Sequence, residues 1–336
     1  ALYRHSIDGS IRAVDLAKHH RNPALRGALV LSLDQVKQFE TEGYLVVPDI
    51  LPSDTLAAVR AEYSTLLDGL YQGWFDAGLV RTSPDALDFW GKLLSAYEAG
   101  VDYFQPMDIS LPGDRIHADT PFHIGPAVFD MLTAGPLLDV VEQLIGPELV
   151  SNPIQHVRIK PPAKKLDSDE IRPHIAATDW HQDRAVALEE ADKTDMVTVW
   201  LAITDATVEN GCLQVQPQTK NQDILPHCPR TQTGIVDGFI NEASAIPLPV
   251  KAGGAVLFHP LTPHASLANV TDGFRWSFDI RFSATGQPTG RSHFPDFIVR
   301  SRSNLASEMT DWLTCKVQWE DARARLAQAP HIDIHR

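Results

Sequence analysis

The stretch MVTVWLAI, residues 196–203, decides the fold class. It is a short run, apolar but for Thr198 and rich in β-branched and aromatic side chains, and it reads as a buried strand. Runs of the same kind surround it. Residues 154–160 end at Pro161-Pro162, and 255–259 and 276–282 read as further strands. Asn210-Gly211 is a strong hairpin signal ahead of a strand at 212–215.

Upstream the texture is helical. Ser32 can cap a helix, Gln35 stands at the capping-box position, and Val36 and Phe39 begin an apolar stripe that Gly43 ends. Residues 44–47 read as a strand stopped by Pro48. A second helix follows Ser53, with Leu56, Val59, Tyr63 and Leu66 on one face. Residues 83–125 read as loops with short helices, and 137–145 as an amphipathic helix closed by Gly146-Pro147. The tail, 304–327, is helical again, with Trp312 and Trp319 as packing anchors. Helices, then many strands, then a helix predict a mainly β domain, a sandwich or barrel with flanking helices. The expected division is an N-terminal extension at 1–30, the domain at 31–300 and a helical tail at 301–336 packed on it. The polar segments 163–178 and 217–245 are long for plain connections. They read as lids over a site or as surface insertions.

The formal net charge is −14, which argues against nucleic acid and anionic membrane surfaces as partners. No apolar run is long enough to span a membrane. The three cysteines, Cys212, Cys228 and Cys315, form no CxxC pair, so a reducing, cytoplasmic setting is expected.

The chemistry centres on His181-Gln182-Asp183. On a strand, residues i and i+2 share a face, so an imidazole and a carboxylate at this spacing can grip one ion. A third ligand from a neighbouring strand would complete one face of an octahedron, the two-His, one-carboxylate pattern of open-sided iron(II) sites. His-x-Asp alone is weak evidence in a chain with 14 His. Further along come His264-Ala265-Ser266 and then Arg275, before a strand. A His followed by a deeper Arg suits a bound 2-oxo diacid, whose far carboxylate matches the planar guanidinium fork. His259 is the rival third ligand and His174 a rival first one.

At these residues the chain resembles the phytanoyl-CoA dioxygenase family. The resemblance runs in order through LSLDQVKQFETEGYLVVPDILPSDTL from residue 31, IKPP at 159–162, WHQD at 180–183, VTVWLAITDATVENGCLQVQP at 197–217 and HASLANVTDGFR from His264 to Arg275. It implies a double-stranded β-helix, a cupin-like jelly roll, with Fe(II) on His181, Asp183 and His264. It places Arg275 and Ser266 on the far carboxylate of 2-oxoglutarate, with Lys160, Trp200 and Ser277 around that cosubstrate. The implied activity is a dioxygenase that uses O2 and 2-oxoglutarate to hydroxylate, or otherwise oxidise, an unactivated C–H bond of a small organic molecule, releasing succinate and CO2. The chain departs from the family at Pro217-Gln218-Thr219-Lys220, where members usually continue Pro-Gly-Ser/Thr-His. Asp183 argues against halogenation, which uses a small residue at that position. The acidic charge favours an uncharged or zwitterionic substrate, such as a natural-product intermediate. A CoA thioester would instead need a basic rim, for which Arg158, Lys164, Lys165 and Arg172 are the available residues. The alternative is a metal-binding jelly roll that is not an oxygenase, a zinc hydrolase or a cupin-like binding module, since two His and one Asp suit zinc too.

Overall fold

The structure is a computed structural model that describes residues 30–163, 178–217, 223–229 and 233–331. The chain opens with helix α1 (Leu33–Glu42). Its capping box is formed by Ser32 and Gln35, and it closes on Gly43 in the left-handed region. Strand β1 (Tyr44–Val47) and helix α2 (Ser53–Asp76) follow, the latter burying Val59, Tyr63, Leu67 and Tyr71. Helices α3 (Phe89–Glu98), α4 (Phe104–Met107), α5 (Pro126–Leu132) and α6 (Gly135–Ile145) lead into the strands. These are β2 (Glu148–Lys160), β3 (Met196–Ala202), β4 (Leu213–Val215), β5 (His227–Pro229), β6 (Thr233–Ile235), β7 (Ile246–Leu248), β8 (Ala255–Phe258), β9 (His264–Ser266), β10 (Arg275–Ala284) and β11 (Phe297–Ser301). Helix α7 (Trp312–Leu326) closes the described chain, with Trp319 buried and Trp312 half-buried.

Two antiparallel sheets form the jelly roll. The larger has the order β1-β8-β3-β10-β2-β11, and the smaller β7-β4-β9. β5 and β6 pair as a separate short hairpin inside the polar segment 217–245. The strands of the larger sheet alternate. Val197, Val199, Leu201, Trp276, Phe278, Ile280 and Phe282 join the helices in the main core. The intervening Thr198, Trp200, Arg275, Ser277, Asp279 and Arg281 face inward, as period-two geometry requires. A second apolar cluster, including Tyr44, Trp200, Leu213, Val215, Val256 and Phe258, fills the space between the sheets on the β1–β8–β3 side.

Two local readings need correction. Asn210-Gly211 makes a turn, with Gly211 at φ +90°, but not a hairpin, because β3 and β4 lie in different sheets. A Cβ at Gly211 would meet the Leu267 carbonyl at 2.5 Å, so the turn carries the chain from one sheet to the other at a close backbone approach. β2 also starts well before residue 154 and runs through Pro153. The ladder to β10 shifts register between Asp279 and Arg281, opposite that proline, and a bulge is where a strand tolerates a missing donor. Most of the 163–178 segment, with Lys164, Lys165, Arg172 and His174, lies outside the described residues.

Candidate metal centre and its anion pocket

His181 and His264 are held by each other's backbones. Each N–H donates to the other's carbonyl at 3.0 Å, an isolated bridge that adds His181 to the edge of β9. Asp183 is not on a strand with His181, as the sequence reading had it. The chain turns at Gln182 into a single 3-10 turn, Asp183–Ala185, which carries the carboxylate under the two rings. His181 Nε2 and His264 Nε2 each lie 3.8 Å from Asp183 Oδ1, and the three ligand atoms fall within 4.8 Å of one another. Neighbouring ligands about 2.1 Å from one ion stand roughly 3 Å apart, so small side-chain shifts would close the set on a metal.

The tautomers are fixed for coordination. His181 Nδ1 donates to the Asp179 carbonyl (2.8 Å) and His264 Nδ1 to the Thr262 carbonyl (3.0 Å), which leaves both Nε2 lone pairs aimed at the centre. Burial, with His264 beside it, pushes the His181 imidazole down to about 3, and burial lowers His264 as well, so both rings are neutral ligands. Burial alone would raise Asp183, but the charge and hydrogen bond of Arg281 hold it well below the usual carboxylate range. Its Oδ1 accepts from Arg281 Nη2 (2.5 Å) and its Oδ2 from Thr198 Oγ1 (2.5 Å). This donor set fits a divalent metal: two neutral imidazoles and one carboxylate, each oriented by a second partner. His259 does not join the cluster; its Nδ1 accepts from the Leu261 N–H.

Gln182, between the two ligands, turns the other way. Its side chain donates to the Leu261 carbonyl and accepts from the Leu225 N–H, while its backbone N–H donates to His227 Nε2.

A pocket opens beside the three ligand atoms. Its lining includes Arg158, Lys160, Trp200, His181, His264, Ser266, Arg275 and Asp279. Arg275 and Lys160 are direct partners across β10 and β2. The Arg275 guanidinium is buried, lies 5.0 Å from the Trp200 ring, and donates to Ser277 Oγ at 2.7 Å. It meets no carboxylate among the described residues, and its Nε has no hydrogen-bond partner. Burial, reinforced by Arg158, pushes it down to about 9, which still leaves it charged at neutral pH. Lys160 is buried too and is held well below its usual range by burial and then by Arg275 and Arg158. Its ammonium donates to Ser266 Oγ and the Leu267 carbonyl, both at 2.7 Å. A buried pair of cations without an anion is costly to keep.

The structure brings Lys160, Trp200, Ser266, Arg275 and Ser277 together beside the His181, Asp183 and His264 cluster, whereas the rival His259 stays outside that cluster and the rival His174 lies outside the described residues. Arg275, Lys160 and Trp200 face the pocket. Ser266 lines it, but its hydroxyl also accepts from Lys160 and the Thr178 N–H and reaches Thr178 Oγ1. Ser277 sits behind the guanidinium it orients. Thr198, Asp279 and Arg281 are the additions. The alternation of polar and apolar residues from Arg275 to Ser283 was the available signal for the last two.

A model of the phytanoyl-CoA dioxygenase family matches residues 39–277. The chain belongs to this family. Among its relatives, phytanoyl-CoA dioxygenase domain-containing protein 1 of Danio rerio is 27% identical over 283 residues, covering 73% of this chain and 88% of its own. The peroxisomal phytanoyl-CoA dioxygenase of Homo sapiens is 23% identical over 292 residues, covering 83% and 75% respectively. Among solved structures, the non-heme monooxygenase ThoJ superposes with a TM-score of 0.55 at 18% identity, covering 88% of this chain and 99% of that one. EvdO2 from Micromonospora carbonacea var. aurantiaca gives 0.51 at 22% identity, covering 76% and 91%. These likenesses bear out the jelly-roll fold. Among the described residues, no helix is long and apolar enough to cross a membrane.

Proposed function

We propose that this dioxygenase-family member binds iron(II) through His181, Asp183 and His264, and binds 2-oxoglutarate with its far carboxylate on Arg275 and Lys160. The observation that carries the reading is the buried Arg275 guanidinium, which has no carboxylate partner among the described residues and faces the same pocket as His181 and His264. A dicarboxylate satisfies both features at once: one end meets the metal and the other meets the cations. Bound iron would supply the oxidative decarboxylation of 2-oxoglutarate by O2, coupled to oxidation of a C–H bond of a small organic substrate, with succinate and CO2 released.

The protein's part is positioning. Arg281 and Thr198 keep the Asp183 carboxylate ionised and fixed, the backbone carbonyls of Asp179 and Thr262 set both imidazole tautomers, and Ser277 with Trp200 aims the Arg275 fork. Apolar Leu213 and Phe258 line the same pocket and limit water there. A zinc hydrolase or cupin-like binder would have no use for a buried cation pair beside the metal, which favours the oxygenase reading.

Iron titration under anaerobic conditions, followed by succinate measurement on readmitting air, tests the assignment. His264→Ala should lose both metal and succinate formation, and His259→Ala should keep the metal. Loss of iron from His259→Ala alone would show the ligand set to be wrong.

A further inference from the structure

Asp279 stands apart from the other charged residues of the inner face. It is 8% exposed and lines the pocket, yet neither carboxylate oxygen makes a hydrogen bond among the described residues. Oδ1 has no partner, and Oδ2 lies 3.7 Å from Arg281 Nη2, beyond hydrogen-bond length. Arg281 is already committed to Asp183 Oδ1 and the Ile154 carbonyl. A buried carboxylate without donors is costly, and native structures rarely leave one so. The position is informative as well. Asp279 lies between the anion clamp at Arg275 and the ligand clamp at Arg281. It faces Trp200 across β3 and His156 across β2. It is close enough to His181 for its charge to bear on that imidazole.

We infer that Asp279 is a specificity-determining residue that accepts a hydrogen bond from a neutral hydroxyl group of the substrate. The inference rests on the iron and 2-oxoglutarate reading and adds the chemical class of the molecule oxidised. The missing partner must be a donor, because an ionised carboxylate only accepts. A hydroxyl is favoured over an ammonium by its surroundings: Arg158, Lys160 and Arg281 already make this wall basic, and a further cation would be repelled. The pocket also presents apolar and aromatic side chains, Trp200 directly across from Asp279 and Leu213 and Phe258 elsewhere in the lining, so the group fits a hydrocarbon frame bearing the hydroxyl. Torsion about the terminal bond of an Asp side chain is soft, so either oxygen can swing to the donor.

The test uses the full chain loaded with zinc, which is redox-silent, and with 2-oxoglutarate, so that the diacid site is filled. The probes are cyclohexanol, cyclohexyl methyl ether and cyclohexylamine, with binding read by saturation-transfer NMR. Cyclohexanol should bind roughly tenfold or more tightly than the ether, the range expected for a hydrogen bond to a charged acceptor. It should also outbind the amine. Asp279→Ala should erase the preference for cyclohexanol over the ether, while calorimetric 2-oxoglutarate affinity is not weakened, since removing a nearby anion cannot repel the diacid. Asp279→Asn keeps an acceptor and should retain part of the preference, which separates a lost contact from a damaged fold. Equal binding of all three probes, a preference for the amine, or an intact preference in Asp279→Ala would overturn the inference. Failure of 2-oxoglutarate to bind the zinc protein would remove the diacid reading and this inference with it. Normal 2-oxoglutarate binding without a hydroxyl preference would remove this inference alone.

Discussion

On β10, Trp276, Phe278, Ile280 and Phe282 pack toward the helices, while Arg275, Ser277, Asp279 and Arg281 face the smaller sheet. Both sets are buried, and by opposite logic. Each large apolar side chain on the helix side gains roughly 1.5–3 kcal/mol by leaving water. The charged set on the other side gains nothing from burial and is held there by the frame that the first set builds. The helix-facing side stabilises the fold, and the inward side spends part of that stability on a site. The two sides should therefore respond differently to substitution.

Asp183→Ala should show the largest effect, because it strikes the site and the fold at once. It removes a proposed metal ligand and leaves Arg281 buried with its main partner gone. Breaking a buried pair in this way costs about 3–5 kcal/mol. Chemical denaturation should report that loss in the metal-free protein, and metal titration should find no tight site. A metal-free stability equal to the parent's would mean that the Arg281 pair contributes little.

Phe278→Ala, on the helix-facing side, should cost about 3–5 kcal/mol through the lost burial and the cavity left behind. In the protein that remains folded, 2-oxoglutarate affinity should be unchanged. A matching loss of affinity would show that the two sides are not separable.

Arg275→Met gives the converse. Volume is nearly kept and a buried cation without an anionic partner is removed, so the melting temperature should hold or rise. Affinity for 2-oxoglutarate should fall by roughly 2–5 kcal/mol, a factor of tens or more, read by calorimetry on the zinc-loaded protein. A lower melting temperature together with unchanged affinity would assign Arg275 to structure and not to the diacid.

The smallest effect concerns protons. Lys160 is held well below its usual range by burial first and by Arg275 and Arg158 after it. Between that lowered value and the ordinary lysine range, the unfolded chain binds more protons than the fold, so anion-free stability should rise with pH across this window. A bound dicarboxylate opposes the depression. Binding of 2-oxoglutarate should therefore take up a fraction of a proton and weaken as pH rises through the Lys160 value. Calorimetry in two buffers of different ionisation enthalpy measures the uptake, and proton release on binding would contradict it.

The sequence pointed to residues that the structure brings together, but not to their conformations. His181, Asp183 and His264 could be picked out because coordination chemistry narrows residue type and spacing and the family resemblance implies this set over the rivals His259 and His174. That His181 sits in a bridge and Asp183 in a 3-10 turn depends on pairing with β9, a contact distant in sequence that no local pattern announces. The start of β2 was hidden by Pro153, which ordinarily argues against a strand and is admitted here by a bulge. Asn210-Gly211 marked a turn correctly, but a turn signal does not say which sheet receives the next strand. Thr198 gave no sign of its bond to Asp183, being one more β-branched residue in a strand. Asp279 and Arg281 were within reach, since the alternation from Arg275 to Ser283 places them on the inward face. A motif anchored on Arg275 passes over them.

Gln182 has a mechanical consequence. It is flanked by two proposed ligands, and it grips the 223–229 segment through the Leu225 N–H and His227 as well as the Leu261 carbonyl before β9. Loop and ligands are thus joined by one stiff link. A change in the seating of that segment would reach both flanking ligands through Gln182 without touching either of them.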